Sequence, residues 1–167
     1  MTNPTFDLLT TTFAKMLPAL KNILAKAEAD CVARSIEPKV FLTARLAPDM
    51  FDFTRQVQIT TDQVKGGMAR LAGVEVPSWP DDEASFADLS ARVDKTLAFM
   101  GEFSASQYEG ADTRKIELKF PNASFEFVGK DYLIGFVLPN FYFHMTTAYA
   151  ILRHNGVSIG KREFLGG

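Results

Sequence analysis

Apolar residues that recur every three or four positions, over four long stretches, constrain this chain more than any other feature. That period marks helices that bury one face. The first stretch runs from about Pro4 to Ala33, with Phe6, Leu9, Phe13, Leu17, Leu20, Leu24 and Ala27 on one side. Asn3 stands where a cap belongs, and Pro4 takes the first helical position, where its missing N–H has no partner to lose. Pro18 predicts a bend rather than an end, because the period continues past it. Ser35-Ile36-Glu37-Pro38 is the break.

A second helix is predicted to open at Ala47-Pro48-Asp49, with Met50, Phe53, Val57, Val64, Met68 and Leu71 as its stripe and Thr60 and Thr61 filling the gap. Gly66-Gly67 weakens helix propensity there, yet the stripe runs on to Gly73. After a proline-bearing loop, Phe86, Leu89, Val93, Leu97 and Met100 predict a third helix from about Ser85 to Phe103. Ser104 and Gln107 have the spacing of a capping box, so one extra turn is expected. The period then changes to two. Ile116, Leu118 and Phe120 alternate, Pro121-Asn122 turns the chain, and Phe125 and Phe127 alternate again, which predicts a β-hairpin. The last helix is expected from Lys130 to about His154, bent near Pro139 and ended by Asn155-Gly156; the tail beyond is expected to be extended or loosely packed. The sum is an all-α four-helix bundle with a small hairpin before the last helix, one domain over residues 1–167. An α/β sandwich would need strands between the helices, and only one hairpin is available.

Composition excludes several functions. A single cysteine, Cys31, rules out an internal disulfide and any multi-cysteine metal cage, and two histidines cannot make a three-histidine site unaided. A formal charge of -2 argues against nucleic acid held by bulk positive charge. No apolar run is long enough to span a bilayer, and the N-terminus lacks the pattern of a signal peptide. The expectation is a cytoplasmic protein without nucleic-acid or membrane partners.

Candidate chemistry is sparse. Gly156-Val157-Ser158-Ile159-Gly160 fits the spacing of a nucleophile elbow, but a helix rather than a strand precedes it and no histidine follows, so it reads as a helix-ending turn. His144 and His154 lie ten residues apart on one helix, about 80° apart in azimuth and about 15 Å along the axis, too far to share one ion. His154 sits at the helix end, where a donor satisfies the last carbonyls. His144 has Asn140 one turn earlier on its own face, the spacing at which bundles place inward-facing ligands; the alternative is a core histidine bonded to a neighbouring helix. Asp52 and Asp62 each precede a cation by three residues, Arg55 and Lys65, and read as ion pairs, while Asp49 suits a helix start. Phe141, Tyr142, Phe143 and Tyr149 are too many aromatics for one stripe; they imply either a helix buried on several sides or the lining of a pocket or dimer seam.

Arg45-Leu-Ala-Pro-Asp-Met-Phe, Arg55-Gln-Val-Gln, Ala69-Arg-Leu-Ala-Gly, Leu138-Pro-Asn-Phe-Tyr-Phe-His, Thr147-Ala-Tyr-Ala-Ile-Leu-Arg-His-Asn-Gly and Gly160-Lys-Arg-Glu-Phe-Leu-Gly resemble an uncharacterised bacterial family that carries a domain of unknown function within the DinB/YfiT-like superfamily. The likeness covers nearly the whole chain. It implies a DinB-like bundle, often a homodimer. Relatives in that superfamily bind a divalent metal through three histidines, and some transfer or isomerise with low-molecular-weight thiols. Anchored on Ile151-Leu152-Arg153, the superfamily's histidine pair falls on Asn140 and His144, and its third ligand falls near Gln58, within a turn. Two of these three are neutral amides, poor ligands for zinc. The resemblance therefore implies a degenerate metal site at His144, Asn140 and Gln58, with no metal the leading expectation and zinc or nickel the ions to consider. Two functions remain open. One is a binding or stress-associated dimer that holds a small molecule; the other is a metal- or thiol-dependent transferase or isomerase built around His144.

Overall fold

Asn3 accepts a hydrogen bond from the Phe6 N–H and starts the longest helix, α1 (Pro4–Arg34). It runs unbroken through Pro18 and buries Leu9, Phe13, Leu17, Leu20 and Leu24. The computed structural model describes residues 2–167. A short helix, α2 (Pro38–Leu42), begins within the segment expected only to break the chain, with Pro38 at its first position.

Helix α3 (Phe53–Ala72) opens later than the apolar pattern implied. Asp52, not Asp49, is the residue whose side chain caps it, accepting from the Arg55 N–H at 2.9 Å. Asp52 is therefore a cap that also lies 3.6 Å from Arg45, and Arg55 pairs elsewhere, with Asp81. Asp62 and Lys65 do pair, at 2.8 Å. Gly73, at a φ of 75°, ends the helix in the left-handed conformation that glycine adopts without strain. Ser85 caps α4 (Phe86–Met100), and the Ser104–Gln107 capping box closes a 3₁₀ turn.

Strands β1 (Lys115–Phe120) and β2 (Ala123–Val128) pair antiparallel, with Ile116 opposite Phe127 and Leu118 opposite Phe125. After β2 the chain stays helical to His154, but not as one α-helix. α5 (Gly129–Tyr132) passes into a π turn over Leu133–Val137 and then into α6 (Leu138–His154). Pro139 explains the interruption. It has no N–H for the carbonyl four residues back and its ring crowds that carbonyl, so the helix widens there. Gly156, at a φ of 89°, terminates the run. The tail, expected to be extended or loosely packed, forms a single helical turn, α7 (Lys161–Phe164). Glu163 accepts from the Gly160 N–H at 2.8 Å and pairs with Lys26, and Phe164 packs edge-on against Tyr149.

α3 lies at the centre of the bundle, packed on α6 along one side and on α4 along another, with α1 against α4. One apolar core joins all four helices, including Phe13, Phe53, Phe86 and Phe141, each almost wholly buried. Among the described residues, no helix is long and apolar enough to cross a membrane.

Candidate functional site

α3 and α6 run antiparallel, and their rungs can be read off directly. Gln56 meets His144, Gly67 meets Val137, and Arg70 meets Tyr132. On α3, residues 56, 59, 63, 66 and 70 share one stripe; on the facing segment, residues 132, 136, 140 and 144 repeat every four. Between these stripes, under the hairpin, lies a trough of about 630 Å³, within the span of about 300–1,000 Å³ typical of small-molecule sites. Leu118, Phe120 and Phe125 roof it from the hairpin, and His144 and Asn140 line it from α6. Phe120 and Phe125, 6.0 Å apart and edge to face, stay half-exposed because they cover this space rather than the core.

His144 is the best-defined polar group in the trough. The Gln56 Nε2 donates to the Phe51 carbonyl at 3.1 Å, and a carbonyl can only accept, so the Gln56 oxygen is the atom turned towards His144. That oxygen lies 2.7 Å from His144 Nδ1, which must therefore carry the proton. On the neutral ring, Nε2 is left as an unprotonated lone pair with no partner among the described residues. Burial foremost, and then the Arg55 charge, pushes the His144 pKa below its ordinary value, so the ring stays neutral at physiological pH. Gln56 is almost fully buried, which makes the arrangement rigid.

Asn140 shares the trough; its Nδ2 donates to the Phe136 carbonyl at 2.7 Å, beside the π turn, which fixes the amide and leaves its Oδ1 as an acceptor. Gln58 is elsewhere. It lines a neighbouring cavity of about 680 Å³, where it accepts from Arg55 at 3.2 Å and donates to Glu83 at 2.8 Å. The three residues aligned with the metal triad are thus not brought together. Only His144 and Asn140 share a cavity. Asp62, the carboxylate that faces His144 and Asn140 across the trough, is held by Lys65 at 2.8 Å and by Arg92 at 2.9 Å. Among the described residues, no group of three histidine, cysteine or acidic side chains is placed to hold a metal ion. One imidazole, one neutral amide and a carboxylate neutralised by two cations make a donor set that does not fit a divalent metal.

The floor behind Asp62 is an ion network centred on Arg92, whose side chain is 2% exposed. Its guanidinium reaches Asp62, Asp81 at 3.0 Å, Glu83 at 2.8 Å, the Thr61 hydroxyl and the Pro80 carbonyl. Arg55 also pairs with Asp81, so three carboxylates (Asp62, Asp81, Glu83) are matched by three cations (Arg55, Lys65, Arg92). The network straps the loop between α3 and α4 to the bundle. Trp79, on that strap, lies under Lys65 at 4.6 Å and Lys95 at 4.5 Å.

Sequence reasoning missed Gln56 and Arg70. The available signal was Gly66-Gly67 in mid-helix. Gly67 lets α6 come close, since a Cβ there would meet Val137 Cγ1 at 2.8 Å. Gly66 leaves the space in which the Arg70 guanidinium lies, beside the Tyr132 hydroxyl. The other candidates are structural. Ser158 is exposed on the α6–α7 connection with no strand before it, and His154 ends α6. Cys31 is buried, and burial foremost raises its thiol pKa, which makes it a poor nucleophile. The aromatic cluster divides: Phe141 is buried 4.8 Å from Phe13, while Tyr142 and Phe143 stay exposed.

Residues 5–165 match the family described as a domain of unknown function, DUF1993. A solved structure, that of a DinB family member protein from Shewanella denitrificans, is 40% identical over 97% of this chain and 92% of that one, with a TM-score of 0.88. No curated protein matches. A match over nearly the whole length, with the bundle and hairpin in place, means that this chain belongs to the DUF1993 family of DinB-like domains.

Proposed function

We propose that this protein is a small-molecule-binding bundle whose site is the α3–α6 trough and which works without a resident metal. The observation that carries this reading is the neutral His144, held by Gln56 with its Nε2 lone pair open to a cavity of ligand size. An acceptor on a half-buried ring, with no partner among the described residues, is an orienting contact for a ligand N–H or O–H, and an apolar roof supplies the area. The same lone pair favours a second reading, an enzyme in which His144 is a general base, since a lowered pKa keeps it ready to take a proton. The protein is further proposed to pair with a second copy through the exposed α6 surface of Pro139, Tyr142 and Phe143 together with Leu46. A stress-associated role is compatible with this reading.

The test is an NMR titration against small organic fragments, read on the histidine ring signals. Only two histidines are present, so His144 is resolved from His154 by one substitution. Compounds that shift His144 and lose binding in His144→Ala support the reading. Near-stoichiometric zinc, nickel or manganese in protein purified without chelator, and lost in His144→Ala, would overturn it.

A further inference from the structure

Arg70 is the one cation of the trough whose charge nothing among the described residues matches. Lys65 is paired with Asp62, and the three carboxylates of the neighbouring network are balanced by three cations. No carboxylate lies within ion-pair reach of Arg70 among the described residues. Its single hydrogen bond runs from Nη1 to the Tyr132 hydroxyl at 3.0 Å, which leaves Nε and Nη2, one edge of the guanidinium fork, without acceptors. Tyr132 is 1% exposed, and its hydroxyl accepts from Arg70 but finds no acceptor for its own proton. That hydroxyl sits beside Gly66, a wall of the trough, 3.7 Å from where a Cβ would be. The Arg70 end therefore offers the Nε–Nη2 edge and, beside Nη1, the Tyr132 hydroxyl proton, none of them received by another group among the described residues.

The other end is different in kind. His144 presents a lone pair rather than a donor, and Gln56 precedes Gly66 by ten residues, about 15 Å of helix. Between the two ends, Leu118, Phe120, Phe125 and Phe136 offer apolar surface. We infer that the trough takes an elongated monocarboxylate, its carboxylate on Arg70 and the Tyr132 hydroxyl, and its apolar chain under the hairpin towards His144. One unmatched positive charge fits a monoanion, and the planar edge of a guanidinium fits the two oxygens of a carboxylate. A phosphate monoester would carry a second charge for which Lys65, committed to Asp62 and Trp79, is not free. This inference rests on the reading of the trough as a ligand site and adds the chemical class of the ligand.

The experiment compares four ligands with the same chain and different heads: octanoate, octan-1-ol, octylamine and octyl phosphate. Each is titrated into the intact protein by calorimetry, with the His144 ring signals recording where it binds. Octanoate is expected to bind at least tenfold more tightly than the other three and to shift His144. Arg70→Gln should remove at least tenfold of its affinity, and Tyr132→Phe should weaken it severalfold, with the alcohol unaffected in both. The comparison of heads on the unmodified protein stands even if a variant folds poorly. If the alcohol or amine shifts His144 as readily as octanoate, the monocarboxylate assignment fails while the ligand-site reading stands. Tighter binding of octyl phosphate, or octanoate affinity untouched in a folded Arg70→Gln, overturns the assignment as well. If no ligand of any charge moves His144, both fall.

Discussion

Gln56 sets the tautomer of the neutral His144 ring. Its Nε2 donates to the Phe51 carbonyl, so its oxygen faces Nδ1 at 2.7 Å and leaves Nε2 of the ring bare. The consequence reaches folding stability. A histidine whose folded pKa lies below the unfolded value of 6.5 takes its proton more readily in the unfolded chain. Its contribution is fully present above about pH 6.5, and it is lost as pH falls through the folded pKa. Urea midpoints should therefore decline through that window in the wild type, and decline less in His144→Asn. Equal slopes in the two proteins would contradict the neutral, buried ring.

Arg92 should be the most sensitive charged residue. Arg92→Met leaves Asp62, Asp81 and Glu83 close together with their shared cation gone, and breaking a buried ion pair in this way costs about 3 kcal/mol. The strap should loosen with it, so Trp79 emission should shift to the red. Arg92→Lys should not restore the protein, because an ammonium cannot serve these acceptors in their fixed directions. A melting curve unchanged in Arg92→Met would mean that the network does not hold the strap.

The adjacent glycines should respond oppositely to alanine. At Gly66 the new methyl meets only the end of the flexible Arg70 side chain. Gly66→Ala should thus keep or raise stability by up to about 1 kcal/mol through helix propensity, while displacing the guanidinium and weakening octanoate. At Gly67 the methyl meets Val137 in a packed seam. The overpacking cost of about 1–3 kcal/mol exceeds the propensity gain, so Gly67→Ala should melt earlier. Identical behaviour of the two variants would remove the reason given for the pair.

Phe143, 56% exposed on the α6 surface, tests the proposed pairing. Light scattering at micromolar concentration should give a dimer for the wild type and a monomer for Phe143→Glu, since a buried charge would have no partner in the seam. A wild-type monomer would contradict the proposal.

The helices and hairpin were legible because each has an unambiguous period, and Asn3 and Ser104 cap where their spacing said they would. The start of α3 was not. Asp49 and Asp52 both suit a helix start in isolation, and only the backbone geometry, with Asp52 accepting from Arg55, decides between them. His144 and Asn140 were legible from their spacing of four on one face. Their counterpart on α3 was not, because two residues along a helix turn it by about 200°. An alignment uncertain by a turn cannot tell Gln58, which faces Glu83, from Gln56, which faces His144. Arg70 left no trace in the apolar pattern; its role depends on Tyr132, 62 residues away.

The tautomer of His144 is the most direct test of the account. A long-range proton–nitrogen correlation spectrum of the two imidazole rings at neutral pH should show His144 protonated at Nδ1 alone, with an unprotonated Nε2 that moves on ligand binding. The Nδ1–H preference should weaken in Gln56→Met. A ring protonated at Nε2, or a fully charged imidazolium at neutral pH, would contradict the central claim that the trough presents a fixed lone pair.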